Sequence, residues 1–135
     1  MNWSHTWPVR VYYEDTDHIG MVYYANYLKF MERARTEMLR STGIELDELE
    51  LQEGVSFTVT SVLIKYHQPA RFNDLLEVKS NIEEAKGARI NFHQYIWKCG
   101  ALLVRAKIGV ACMNRQGKPV RIPGTVITQM QKQEQ

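Results

Sequence analysis

Between Val9 and Tyr13 the chain alternates, with Val9, Val11 and Tyr13 set against Arg10 and Tyr12. That period of two marks a strand with one buried face. Residues 14–20 then turn acidic, include Thr16 and end on Gly20, which reads as a loop. From about Tyr23 the period lengthens. Tyr27, Leu28, Phe30, Met31, Ala34, Met38 and Leu39 recur at helical spacing over more than half the circumference. A helix this apolar is mostly enclosed, and Gly43 stands where a left-handed cap would end it. On its remaining surface stripe, ion pairs at i,i+3 are expected between Glu32 and Arg35 and between Glu37 and Arg40.

After an acidic stretch over 45–53, long enough for one or two helical turns, the rest of the chain reads as strands. Residues 55–67 are rich in β-branched and aromatic side chains, and their apolar phase shifts near Ser61 from odd to even positions. This predicts one long strand with a bulge or bend, ended by Pro69. Leu76, Val78, Ser80 and Ile82 alternate with Glu77, Lys79, Asn81 and Glu83, and Lys86-Gly87 turns the chain into Ile90, Phe92, Gln94 and Ile96. Cys99-Gly100 turns it again into Leu102, Val104, Ala106, Ile108, Val110 and Cys112, which 114–118 closes. The order is β-α-β-β-β-β. A meander of antiparallel strands with one long helix has one economical arrangement, an α+β fold of five to six strands wrapped around that helix. Residues 1–135 form a single domain, and the Gln-rich and Lys-rich end, 129–135, is expected to fray.

Composition narrows the function. Lys plus Arg number 17 and Asp plus Glu 15, so the formal charge of +2 is too small for nucleic-acid binding by bulk charge. No uncharged apolar run approaches about 18 residues, and the first residues lack a basic stretch followed by an apolar core, so no membrane span and a cytoplasmic location are expected. Cys99 and Cys112 show no Cys-x-x-Cys spacing, and reduced thiols are the default.

Several chemistries are excluded by motif. There is no Gly-x-Ser-x-Gly elbow, no phosphate loop and no His-Glu-x-x-His. Asp15-Thr16-Asp17-His18-Ile19-Gly20 begins like a calcium loop, but Ile19 and Asn26 stand where oxygen ligands and then a bidentate Glu are needed. His5, His18, His67 and His93 are dispersed, so neither a metal nor another cofactor is expected. What remains is the passage 12–28: a strand, an acidic loop and the start of a buried helix. Asp17 is followed by Ile19-Gly20-Met21-Val22, apolar enough to exclude water around a carboxylate. The helix start offers unpaired N–H groups for a developing oxyanion. Carboxylate and oxyanion donor together are the minimal kit for acyl transfer.

Val11-Tyr12-Tyr13-Glu14-Asp15-Thr16-Asp17 through Gly20, Val22-Tyr23-Tyr24-Ala25-Asn26-Tyr27-Leu28 and Phe30-Met31-Glu32-Arg33-Ala34-Arg35 resemble the signature of hot-dog fold acyl-CoA thioesterases. The resemblance is to the YbgC type encoded with the bacterial Tol-Pal system, a branch of the 4-hydroxybenzoyl-CoA thioesterase family. It spans nearly the whole chain, including 69–74 and 117–123. It implies the hot-dog fold and hydrolysis of acyl-CoA to free acid and coenzyme A. Asp17 would be the catalytic carboxylate, as nucleophile or as general base, and the backbone N–H of Tyr24 the oxyanion donor. Tyr24 stands where YbgC-type members commonly carry His. The resemblance further implies a homodimer or homotetramer with active sites between subunits. Lys86 and Arg89, cations at a hairpin turn that by themselves would simply face water, are implied as contacts to the coenzyme A phosphates; Lys65 and Arg71 are weaker candidates. Glu32 is read as an ion-pair partner and His18 as a solvated loop residue.

The resemblance also implies an acyl carrier protein or a Tol-Pal-related partner, and other readings are an acyl-carrier-protein thioesterase, a hot-dog dehydratase and a non-catalytic acyl-CoA-binding, envelope-associated protein. The dehydratase needs a pocket His with an acidic partner, which Tyr24 does not supply. Binding alone needs no carboxylate beside a thioester.

Overall fold

The computed structural model describes residues 3–134. Five strands form one antiparallel sheet, β1 (Ser4–Arg10), β2 (Val55–Tyr66), β3 (Leu75–Lys86), β4 (Arg89–Lys98) and β5 (Ala101–Asn114), in the order β1-β3-β4-β5-β2. The sheet wraps around helix α1 (Asn26–Arg40), which buries Tyr27, Phe30, Met31, Ala34, Met38 and Leu39 against it. Two shorter helices, α2 (Leu46–Glu53) and α3 (Gly124–Gln131), flank this core.

The helix stops as its sequence predicts. Gly43 has φ +93°, its N–H donates to Arg40 O at 2.9 Å, and the N–H of buried Ile44 donates to Leu39 O at 3.3 Å. These are the two bonds of a Schellman cap. In β2 the register against β5 slips between Val59 and Ser61, at the apolar phase shift. At the β4–β5 turn Cys99 and Gly100 both take positive φ, 47° and 79°, as a tight two-residue hairpin requires.

Three expectations are corrected. The first strand covers Ser4–Arg10 rather than 9–13, because it is an edge strand whose outer side tolerates Pro8, while Tyr12 leads into a 3-10 turn at Tyr13–Asp15. Residues 129–131 belong to α3, where Met130 and Val126 sit in the core; Gln135 lies outside the described residues. Glu37 does pair with Arg40, but Arg35 makes no ion pair with Glu32.

Arg35 turns inward instead, donating through Nη1 to Gln94 Oε1 at 2.9 Å with its guanidinium carbon 5.9 Å from the Phe92 ring centre. Burial holds its pKa below the ordinary guanidinium value, only partly offset by the charge of Glu32. Gln94, fully buried on β4, donates from Nε2 to Met31 O on α1 at 2.9 Å and to the Ser80 hydroxyl on β3 at 2.8 Å. One amide thus ties helix, two strands and a cation together. Replacing it with a similar-sized apolar side chain strands buried polar groups on each partner. Gln94→Leu is therefore expected to cost about 2–4 kcal/mol, lowering the thermal midpoint by on the order of 10 °C; an unchanged melting curve would show that the three partners are satisfied without it.

Candidate active site

The chain entering the site is held by Asp15. This buried carboxylate accepts the Tyr12 N–H at Oδ2, 2.8 Å, within the 3-10 turn. The strand direction then reverses. Tyr23 N–H donates to Asp15 O at 3.0 Å, Thr16 bridges Val22, and Asp17 N–H donates to Met21 O at 2.8 Å. The result is a small hairpin with its tip at 17–21. Gly20 closes it at φ +80°, a conformation that a Cβ disfavours.

At the tip the Asp17 carboxylate has an asymmetric setting. Oδ1 accepts the N–H groups of Ile19 at 2.9 Å and Met21 at 3.2 Å, an Asx turn made by the residue itself. Oδ2 has no partner among the described residues. The side chain is oriented through one oxygen and presents the other. The expected apolar shield is incomplete: Val22 is buried, but Ile19 is 61% exposed.

Just past the base of the hairpin the chain enters α1. The helix begins at Asn26, two residues later than Tyr24, because Asn26 N–H donates to Tyr23 O at 2.8 Å and closes a turn over Tyr24 and Ala25. Tyr24 occupies the second position of that turn, and its N–H meets no acceptor among the described residues. Its carbonyl accepts the Tyr66 hydroxyl at 3.2 Å, and its ring lies edge-on to that of Tyr66 with centres 6.3 Å apart. Tyr66 brings the end of β2 to the site. Tyr27, the second residue of α1, accepts the Ala70 N–H at its hydroxyl oxygen, 2.9 Å. Burial pushes both phenols, Tyr27 and Tyr66, above the ordinary tyrosine value, so both stay neutral.

Segment 69–74 braces the hairpin from outside. Val22 N–H donates to Ala70 O, Phe72 N–H to Gly20 O, Arg71 bridges Met21, and the Phe72 ring stacks on Tyr13 at 3.8 Å. Asp74 holds this brace together, accepting the Arg71 N–H at 2.9 Å and the Lys98 ammonium at 2.8 Å.

Among the sequence candidates, Asp17 and Tyr24 lie on one continuous hairpin and turn with the Arg71 backbone against the hairpin, whereas Lys65, next to Tyr66 on β2, faces the other side of that strand. His18 is exposed at the tip. Glu32 sits two turns down α1, exposed, within 3.4 Å of the Thr36 hydroxyl. Lys86 and Arg89 pair across the β3–β4 turn, at the far end of a 12-residue strand whose near end adjoins the brace. At ~3.3 Å per residue they are roughly 35 Å from it, so a single chain does not bring them to Asp17. Sequence reasoning did not single out Asn26, Tyr66 or Asp74. Their roles arise from contacts between elements, and the stretches 22–28 and 69–74 that carry the resemblance include Asn26 and Asp74 without assigning either a role.

Between α1 and β2 runs a groove of about 430 Å³, starting one helical turn beyond Tyr24, lined by Leu28, Val59, Val62 and Ile108 with Glu32 and Arg35 along its polar side. No helix among the described residues is long and apolar enough to cross a membrane.

Asp74 supplies a pH test. Burial disfavours its charge, but the hydrogen bonds from Lys98 and Arg71 and their positive charges outweigh this and hold the carboxyl below its ordinary value of 3.8. A folded-state pKa below the unfolded one adds stability above the unfolded value, and that stability is lost as the pH falls through the folded value. Asp74→Asn is expected to lose about 1 kcal/mol at pH 7, with the difference from wild type closing below pH 3.8. A difference that persists undiminished roughly one to two pH units below that value would mean that the charge is not what braces the loop.

The family model described as "Thioesterase-like superfamily" matches residues 11–131. A Haemophilus influenzae protein named acyl-CoA thioesterase YbgC is 43% identical over 122 residues, covering 90% of this chain and 90% of that protein. An Escherichia coli protein named acyl-CoA thioester hydrolase YbgC is 40% identical over 128 residues, covering 93% and 95%. Among solved structures, a probable thioesterase from Bartonella henselae superposes with a TM-score of 0.86 at 41% identity, covering 89% of this chain and 99% of that one.

Proposed function

The chain belongs to the thioesterase-like superfamily, and we infer that it is an acyl-CoA thioester hydrolase that releases free acid and coenzyme A through Asp17 and the backbone N–H of Tyr24. The observation that carries the site assignment is that two unused groups lie on one short stretch of chain. Asp17 offers Oδ2 while Oδ1 is tied to the backbone, and the hairpin that carries it leads directly into the turn where the Tyr24 N–H is unpaired.

In this reading the thioester carbonyl oxygen accepts the Tyr24 N–H, which stabilises the negative charge that develops as the carbon becomes tetrahedral. Asp17 then acts in one of two ways. As a nucleophile it adds through Oδ2, the C–S bond breaks, coenzyme A leaves as thiolate and water hydrolyses the resulting anhydride. As a general base it takes a proton from water, whose oxygen adds to the same carbon before the thiolate leaves. The groove beside Leu28, Val59 and Val62 supplies an apolar place for the acyl group.

A second copy completes the site in this reading. β2 is a 12-residue edge strand with Val59, Val62, Leu63 and Tyr66 all exposed by at least 43%. An edge this long and apolar favours pairing with another copy. Such pairing exchanges the isolation of Asp17 for cover and offers a route by which Lys86 and Arg89 of the second copy meet the phosphates. Acyl-CoA as substrate and two free cysteines, Cys99 and Cys112, fit a cytoplasmic location.

Free-thiol release from acyl-CoA substrates tests the assignment. Asp17→Ala is expected to stay folded and lose on the order of 100-fold or more in kcat. Tyr24→Phe keeps the N–H and is expected to remain active. Tyr24→Pro removes that N–H at the turn position where proline is favoured, and is expected to fold yet lose roughly 2.7–4 kcal/mol of transition-state stabilisation. Near-normal turnover by folded Tyr24→Pro removes this donor. Inactivation by Glu32→Ala, with Asp17→Ala keeping more than about a tenth of wild-type turnover, moves the carboxylate role to Glu32.

The shared site has its own test. Lys86→Ala combined with Arg89→Ala is expected to raise KM more than it lowers kcat, most strongly at low salt, since phosphate contacts are screened over about 8–10 Å. A protein that sediments as a monomer at assay concentration, or an unchanged KM at low ionic strength, takes these cations out of the site.

A further inference from the structure

The hairpin that carries Asp17 and the helix that follows Tyr24 are separate elements, and the catalytic assignment made above requires their spacing to be fixed. Backbone bonds zip the hairpin internally and segment 69–74 braces its outer side. The Asn26 side chain ties it to α1. Asn26 Nδ2 donates at 2.8 Å to Asp15 O, eleven residues back, the same carbonyl that accepts the Tyr23 N–H at 3.0 Å. Among the described residues this is the only side-chain hydrogen bond joining the hairpin to α1.

The local chemistry makes the arrangement informative. Asparagine at a helix start commonly caps its own helix, with the side-chain oxygen turned to the first N–H groups. Here Ala25 holds the cap position, so α1 has no side-chain cap, and the amide of Asn26, the first helical residue, bonds to the loop. The same residue supplies the N–H that closes the turn over Tyr24. One residue therefore sets both ends of the constellation: its backbone shapes the turn that leaves the Tyr24 N–H unpaired, and its side chain holds the base of the Asp17 hairpin. Asp15 is buried on the opposite side, where its carboxylate grips Tyr12, so its carbonyl cannot follow a shift of α1 without breaking that contact.

We propose that Asn26 is a positioning residue for thioester hydrolysis, one that sets the distance between the Asp17 carboxylate and the Tyr24 N–H without touching substrate. This rests on the assignment of those two groups. Misplacement of a reacting group by about 1 Å is enough to cost on the order of 100-fold in rate. The loss on breaking the clamp is therefore expected in kcat rather than in substrate capture.

The test compares Asn26→Ala, Asn26→Asp, Asp17→Ala and the Asp17→Ala/Asn26→Ala double variant as full-length proteins, by thiol release from an acyl-CoA that the wild type hydrolyses and by thermal melting. Asn26→Asp keeps the size of the side chain and places a negative charge at a helix N-terminus, which is favourable, but an ionised carboxylate cannot donate to Asp15 O. It is expected to melt with the wild type and still lose kcat about 10- to 100-fold, as Asn26→Ala does, with KM within about twofold. Without the Asp17 carboxylate there is no spacing left to lose, so Asn26→Ala in the Asp17→Ala background is expected to add less than about twofold. A slow Asp17→Ala beside fully active, folded Asn26 variants overturns the positioning role alone, as does an equal loss with and without Asp17. Wild-type turnover by Asp17→Ala overturns the underlying assignment, and the positioning role with it.

Discussion

Helix α1 lies inside the curve of the sheet with six apolar side chains buried, and at ~1.5–3 kcal/mol for each fully buried large side chain that contact outweighs any local preference along the chain. Burial alone leaves a helix free to slide or turn by small amounts. The Gln94 amide removes that freedom, because Met31 O, the Ser80 hydroxyl and the Arg35 guanidinium are all met at hydrogen-bond distance in only one setting. Once the helix has one setting, its first turn has one position, and the loop that precedes it must be built to meet that position.

The loop does so with backbone bonds. A hairpin of nine residues carries its carboxylate at the tip, a buried Asp15 anchors one side, and segment 69–74, held by the Asp74–Lys98 pair, anchors the other. This economy has a chemical consequence. Asp17 orients itself through Oδ1 without help from another side chain, so Oδ2 remains available. The turn that admits the chain into α1 leaves the Tyr24 N–H without an acceptor among the described residues. Two groups that most loops would satisfy internally are left over, on elements stiff enough to keep them in place.

Where local physics decides, the chain was legible before it was folded. The Gly43 cap, the phase shift at Ser61 that became a bulge, and the Cys99-Gly100 turn each follow from one residue's backbone freedom or from the alternation of a half-buried strand. The resemblance carried by 11–35 and 69–74 pointed to Asp17 and Tyr24, which lie on one continuous hairpin and turn. The misreadings also have a common cause. Val9 to Tyr13 alternates, yet the strand lies upstream, because pairing with β3 over Ser4–Arg10 outweighs the local pattern. Arg35 has a carboxylate three residues away, yet it turns toward an amide 59 residues distant, because a guanidinium on the inward side of a helix takes the acceptor the sheet offers.

What the sequence determined by itself is therefore the class of the fold and the path of most elements, since turns, caps and periodicity act within a few residues. What only the tertiary structure decided is the set of partners: Gln94 beneath Met31, Tyr66 against the Tyr24 carbonyl, Asp74 under Arg71 and Lys98, Asn26 on the Asp15 carbonyl, and the separation of Lys86 and Arg89 from Asp17 by the length of β3. Such hydrogen bonds and ion pairs join residues far apart in the chain or across two elements. Their energies exist only once the sheet has curved around α1 and brought donor and acceptor within about 3 Å.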